Sequence, residues 1–214
     1  MSAFGFRIGA ELQNRYHRPM ATRTPTTREI GRSAVRDQLV RVAFPHFLEH
    51  GFDGVTFDAL AREAGVSRST FLRYFPGKED VVLAVVDPLA DAIDDALGTA
   101  RENETEWRAL RRGLEPVVAF LDGPEKRLDL MRLIWRTPAL YSRLHEKQAA
   151  WRPRMVQRLA DRPGPPSDDL SRRTRVAAAL ECLTVAIDAW LAADGRPGLG
   201  ALLDRTFDAV RGLD

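Results

Sequence analysis

The amino-acid sequence predicts an all-α protein of about nine helices. Apolar residues recur at helical spacing along nearly the whole chain, and no alternating Val/Ile/Thr-rich run reads as a strand. Glycine, proline and N-capping residues then divide the chain into pieces of helical length. Of the 214 residues, 44% are hydrophobic and 29% charged, a composition that supports a packed core and argues against disorder. No run of 18 or more uncharged apolar residues exists, so no membrane span is expected.

The N-terminal 1–29 reads as a basic arm. Residues 1–36 carry Arg7, Arg15, Arg18, Arg23, Arg28, Arg32 and Arg36 against Glu11 and Glu29. Such a segment suits sequence-independent phosphate contacts, or is simply a solvated tail. Met20 opens the stretch MATRTPTTREIGR and could be a translation start, so residues 1–19 need not belong to the native chain. No apolar core followed by small residues marks a secretory signal, which predicts a cytoplasmic protein.

The first helix is expected from Ser33 to His50. Val35, Leu39, Val42, Ala43 and Phe47 form its apolar side, Gly51 stands where a C-terminal cap belongs, and Pro45 is an awkward interior residue. Thr56 caps a short helix, Phe57 to Ala64, which Gly65 stops; Asp58 sits favourably in its first turn. Ser67 caps the next, Arg68 to Phe75, ended by Pro76 and Gly77. A longer helix is expected over 78–97 with Pro88 inside it. Further helices are expected near 104–121, 124–136, 138–162, 168–193 and 197–212. Pro124, Pro138 and Pro197 suit first turns, Ser167 to Asp169 suits an N-terminus, and RPGPP (162–166) is the clearest loop.

The stretch Thr56 to Phe75, TFDALAREAGVSRSTFLRYF, reads as two short helices joined by a glycine-containing turn, the helix-turn-helix pattern. Ala61 and Ala64 are small enough for the helices to cross closely, Val66 plugs the turn, and Phe71 anchors the second helix. Ser67 leaves that helix capped but exposed, so its first side chains can enter a major groove. The pattern makes 30–80 a DNA-binding domain and leaves 81–214 for the remaining helices.

Phe47, Gly51, Phe52, Thr56, Leu60, Ala61, Ala64, Gly65, Val66, Ser67, Phe71, Tyr74, Phe75, Lys78 and Glu79 together closely resemble the tetracycline-repressor (TetR) family, without a gap over about fifty residues. The resemblance implies a DNA-binding transcriptional regulator acting on double-stranded, near-palindromic DNA as a homodimer, with a C-terminal domain that takes a small-molecule effector. It implies phosphate contacts by Thr56 and Lys78, Thr56 also through its helix N-terminus. It places Arg68, Ser69 and Arg73 on the exposed side of the recognition helix. Arg68 suits a guanine because its fork can bond O6 and N7 together, and Thr70 suits a thymine methyl or a phosphate. Leu72 stands where many members carry a phosphate-binding tyrosine, which shifts that work toward Tyr74.

On the helix expected over 168–193, Val176, Leu180, Leu183, Ile187, Trp190 and Leu191 keep helical spacing with alanines between them. That is more apolar surface than a one-sided helix needs. Leu199, Leu202, Leu203, Phe207 and Val210 repeat it. The resemblance implies that Leu183, Ile187, Trp190, Leu203 and Phe207 pair with their twins in a four-helix bundle; the alternative is that they wrap the chain's own core. It also implies an effector pocket, with Trp107, Phe120, Leu121, Met131, Trp135, Leu140 and Leu144 as candidate lining. Arg132, Arg136 and His145 are candidates for an anionic head group, or face water. The segment TPALYSRLHEKQAAW, Thr137 to Trp151, resembles members that respond to acyl-coenzyme A or related lipophilic ligands.

No metal set is expected: the four histidines are scattered, and Cys182, the single cysteine, reads as a buried packing thiol. Neither G-x-S-x-G nor a phosphate-cradling glycine loop is present, so an enzyme is not expected and no cofactor is implied. The resulting expectation is a repressor released by a small lipophilic or acyl-type ligand, with activation as a variant. An all-helical enzyme or carrier, its N-terminal helices a structural cap, is the alternative from another class, and a nonspecific DNA binder is a third.

Overall fold

A computed structural model describes residues 26–99, 101, 103–123, 126–163 and 167–211. All regular structure among them is helical. The basic arm to residue 25, Met20, Pro124 and residues 164–166 of the expected loop lie outside the described residues.

The chain divides into two compact units. The first runs to Pro88 and takes in Leu133–Tyr141; the second comprises Leu89–Arg132 and Ser142–Asp214. The first unit extends past residue 80, and its Val81, Val82, Leu83, Ala84 and Val86 are buried.

In the first unit, α1 (Thr27–Gly54) continues through the exposed Pro45 and leaves helical geometry at Gly51, φ 71° and ψ 170°. The expected glycine stop thus has a positive φ with an extended ψ, a region nearly confined to glycine that costs other residues about 1–3 kcal/mol. Then come α2 (Phe57–Glu63), α3 (Arg68–Tyr74) and α4 (Lys78–Leu83). Their core is Leu39, Ala43, Phe47, Leu60, Phe71 and Phe75, all at most 2% exposed.

The single helix expected over 78–97 is divided. A 3-10 turn, Ala84–Val86, separates α4 from α5 (Pro88–Gly98). Pro88 has no N–H to give the Ala84 carbonyl; Asp87 N takes that acceptor instead at 3.3 Å, tightening the turn. The helix expected over 104–121 is likewise two, α6 (Glu106–Gly113) and α7 (Glu115–Leu121), because Pro116 cannot continue the ladder.

α8 (Lys126–Arg136) and α9 (Pro138–Ala160) follow. The second unit is closed by α10 (Asp169–Ala192) and α11 (Leu199–Arg211), which pack along each other. Asp168 caps α10, its carboxylate accepting from Ser171 N at 2.9 Å. Pro197 lies ahead of α11 rather than in its first turn. The cap there is tertiary: Leu199 N donates to Asp122 Oδ1 at 2.9 Å.

Candidate nucleic-acid interface

Two short helices with well-made starts build the site. Thr56 Oγ1 accepts from Ala59 N at 3.2 Å, and Ser67 Oγ accepts from Thr70 N at 3.1 Å. Each hydroxyl satisfies one of the amide donors that a helix start leaves open. The turn between the helices needs Gly65, whose φ is +67°, and Val66 N closes it on the Ala61 carbonyl at 3.0 Å. Phe71 is fully buried with its ring centroid 5.8 Å from Phe57 and 5.7 Å from Phe75. These aromatic contacts fix the inner face of α3.

The outer face is left bare. Ser67, Arg68, Ser69 and Arg73 are exposed, and Thr70 and Tyr74 are half-buried. The Arg68 side chain is 61% exposed, its Nε 3.8 Å from the Asp58 carboxylate on α2. An exposed pair at that distance contributes little to stability and leaves the fork available. Ser67 Oγ lies 3.0 Å from Ser69 Oγ and donates to Thr70 Oγ1 at 2.9 Å, so these three hydroxyls form one small network at the start of α3. Arg73 stacks its guanidinium 5.6 Å from the Tyr74 ring centroid. Seven of the eight sequence-predicted DNA-binding residues, Thr56, Ser67, Arg68, Ser69, Thr70, Arg73 and Tyr74, therefore lie on these two helices and their caps. The eighth, Lys78, opens α4, where its Nζ donates to the Phe52 and Val55 carbonyls. Leu72 is half-buried and brings no hydrogen-bonding group.

Sequence reasoning missed Arg36. Its Nη2 lies 2.6 Å from Asp87 Oδ2, and its guanidinium stacks 4.9 Å from the centroid of Phe75, the residue that closes α3. Only the basic character of the N-terminal segment hinted at it.

The candidate effector residues fall in both units. Trp135 and Leu140 belong to the first unit, where the Trp135 ring meets Tyr141 edge-on at 5.3 Å. Trp107, Phe120, Met131, Leu144 and His145 belong to the second. Trp107 is tied to Phe207, centroids 4.4 Å apart. One face of Phe120 is covered by Arg127, whose guanidinium lies 4.5 Å from the ring centroid and donates to the Phe120 carbonyl. Met131 and Leu144 are buried, His145 half-buried. Arg132 is engaged with Asp194 and Asp129, and Arg136 is exposed.

The candidate dimer residues Leu183, Ile187, Trp190, Leu203 and Phe207 are all buried within their own chain. α10 and α11 pack along each other. Val185 on α10 and Val210 at the end of α11 are exposed. Cys182 is buried, as expected, and burial pushes its thiol up, which keeps it protonated and unreactive. Among the described residues no His, Cys, Asp or Glu side chains gather to hold a metal ion, and no helix is long and apolar enough to cross a membrane.

A capped helix with an open outer face, locked onto a crossing helix by aromatic rings, defines a helix-turn-helix DNA-binding protein. Residues 39–85 match the family described as bacterial regulatory proteins, tetR family, and residues 87–213 match the MftR C-terminal domain. The transcriptional regulator MftR of Mycobacterium tuberculosis is 31% identical, over 86% of this chain and 93% of its own. The regulator TcmR of Streptomyces glaucescens is 27% identical over 82% of each chain. Among solved structures, FadR of Thermus thermophilus, a TetR-family repressor crystallised with lauroyl-CoA, shares the fold with a TM-score of 0.58 at 21% identity, covering 84% of this chain and 95% of its own. The chain belongs to the TetR family, and it is a transcriptional regulator rather than an enzyme.

Proposed function

We propose that this regulator is a ligand-responsive repressor. It binds a near-palindromic operator as a homodimer in the cytoplasm and leaves it when a small lipophilic or acyl-type molecule binds its C-terminal helices. The observation that carries the DNA half is the contrast across α3, where Phe71 is fully buried and Arg68 is 61% exposed. Arg68 reads a guanine through its fork, while Ser69 and Thr70 meet base edges or phosphates. Arg73, Tyr74 and the Thr56 hydroxyl hold the backbone and set the register.

Two copies are needed because one short helix contacts too few bases for useful specificity. Val185, 48% exposed on the side of α10 away from Leu183 and Trp190, supports pairing through that face. The acyl class rests on the family resemblance of Thr137 to Trp151, and buried Met131 and Leu144 supply apolar lining. The chain passes from the first unit to the second at Pro88. A ligand that shifts α5 there needs only about 1–3 kcal/mol of differential binding to change operator occupancy usefully.

Operator selection from random duplexes, followed by titration over a salt series, tests this reading. It predicts a saturable complex of two protomers on a near-palindrome, weakened by salt and released by lauroyl-CoA or a longer acyl-CoA. Equal affinity for selected and random DNA removes the regulator reading. Specific binding that acyl-CoA of any chain length leaves untouched removes only the ligand class.

A further inference from the structure

The first residue of α4 also braces the turn ahead of α2. Lys78 Nζ donates to the Phe52 carbonyl at 3.0 Å and to the Val55 carbonyl at 2.9 Å. Its ammonium lies 4.6 Å from the centroid of the Phe52 ring. Phe52 and Val55 are both buried and bound the turn that carries the chain from α1 to Thr56. Gly51 breaks the helical ladder just before them, so these carbonyls lack the pairing a continuous helix would give.

An ammonium has three protons, and here two are committed. Moving it to a DNA phosphate would leave two carbonyls of buried residues without their charged donor, a loss of the size of a charged hydrogen bond each. A solvent-exposed phosphate contact returns less, because water and salt screen it. We infer that Lys78 is a positioning residue for DNA recognition rather than a phosphate ligand. It holds the turn Phe52–Val55, and through it Thr56 and α2, in the place from which α3 is presented. This rests on the reading that α2 and α3 form the DNA-contacting surface.

The wild-type protein offers the first test. Amine acetylation with N-hydroxysuccinimidyl acetate, followed by peptide mass spectrometry, should find Lys78 about tenfold slower than a free lysine, the factor one charged hydrogen bond supplies. Operator DNA should add no further protection. Fast modification in the free protein that DNA suppresses would overturn the inference.

Lys78→Met should weaken operator binding by about tenfold, on the same reasoning, while the slope of log affinity against log salt stays unchanged. A slope shallower by about 0.9, the value for one lost phosphate contact, would overturn it. Thr56→Ala combined with Lys78→Met should cost less than the two single losses added, since the lysine acts through the threonine. Full additivity contradicts that route. If Lys78→Met does not fold, the acetylation result on the wild-type protein decides alone. Wild-type protein with no sequence preference at all would instead strike the DNA-binding reading, a result distinct from a changed slope.

Discussion

The indole of Trp107 lies against the ring of Phe207, centroids 4.4 Å apart, and its Nε1–H donates to the Phe207 carbonyl at 3.2 Å. A residue that suggests a ligand pocket and one that suggests a dimer seam therefore satisfy each other inside one chain, across the packing of α6 and α11. Trp107→Phe keeps most of the ring contact and removes the donor. The expected loss is about 1 kcal/mol, the net worth of one hydrogen bond. For a chain of this size that lowers Tm by about 2–4 °C. Calorimetry checks it, with operator affinity unchanged; a weaker operator complex at equal stability would place Trp107 in the regulatory path instead.

Gly65 carries the left-handed turn between α2 and α3, and a Cβ added there would meet no atom within 4 Å. The cost of Gly65→Ala is therefore backbone strain alone, about 1–2 kcal/mol. Urea unfolding should show that loss with an unchanged m-value. A neutral substitution would mean that the turn relaxes without the left-handed residue.

Two buried-edge ion pairs set an acid limit. Hydrogen bonding to Arg158 holds the Asp94 carboxyl below its ordinary value, and Arg112 does the same for Glu104, in both cases against the opposing effect of burial. A carboxyl lowered in the folded state stabilises fully above its unfolded value, near 4, and loses that contribution as pH falls through the folded value. Stability in urea should hold from neutral pH down to about 5, then fall as the medium passes below about 4. Asp94→Asn should lower stability at neutral pH and flatten the acid slope. An unaltered slope would locate the acid sensitivity elsewhere.

Leu72 is half-buried on α3 and has no group to offer a phosphate. Leu72→Tyr supplies the hydroxyl that many family members carry there. A gain of about 1 kcal/mol, roughly fivefold, is expected on operator and random DNA alike, because phosphate contacts carry no sequence information. Filter-binding titrations on both duplexes check it; a gain confined to the operator would show that position 72 reaches a base.

The reading helices were legible because their signals are local. Thr56 and Ser67 accept from the amides their spacing assigns, and Gly65 supplies the turn. Pro88 was visible as a break point, but its result, a 3-10 turn, depends on which amide takes the Ala84 carbonyl. Pro116 divided a helix that periodicity alone joins. The C-terminal assignments were harder because α10 is apolar nearly all round, so its sequence does not say which side faces its own core. Leu183 and Trp190 look inward, while Val185 is left outside. The partners of Lys78 and Arg36 were not legible for a related reason: a long cationic side chain reaches groups 23 to 51 residues away.

Base reading by α3 depends on Arg68. Competition titrations of wild type and Arg68→Ala, on the selected operator and on random duplex at one salt concentration, measure it most directly. The ratio of specific to nonspecific affinity should fall by about 5- to 150-fold, equivalent to the roughly 1–3 kcal/mol of one bidentate base contact. Nonspecific affinity should change only by the share of one charge. An unchanged ratio, with both affinities lowered together, would make Arg68 a phosphate contact and rule out base reading through it.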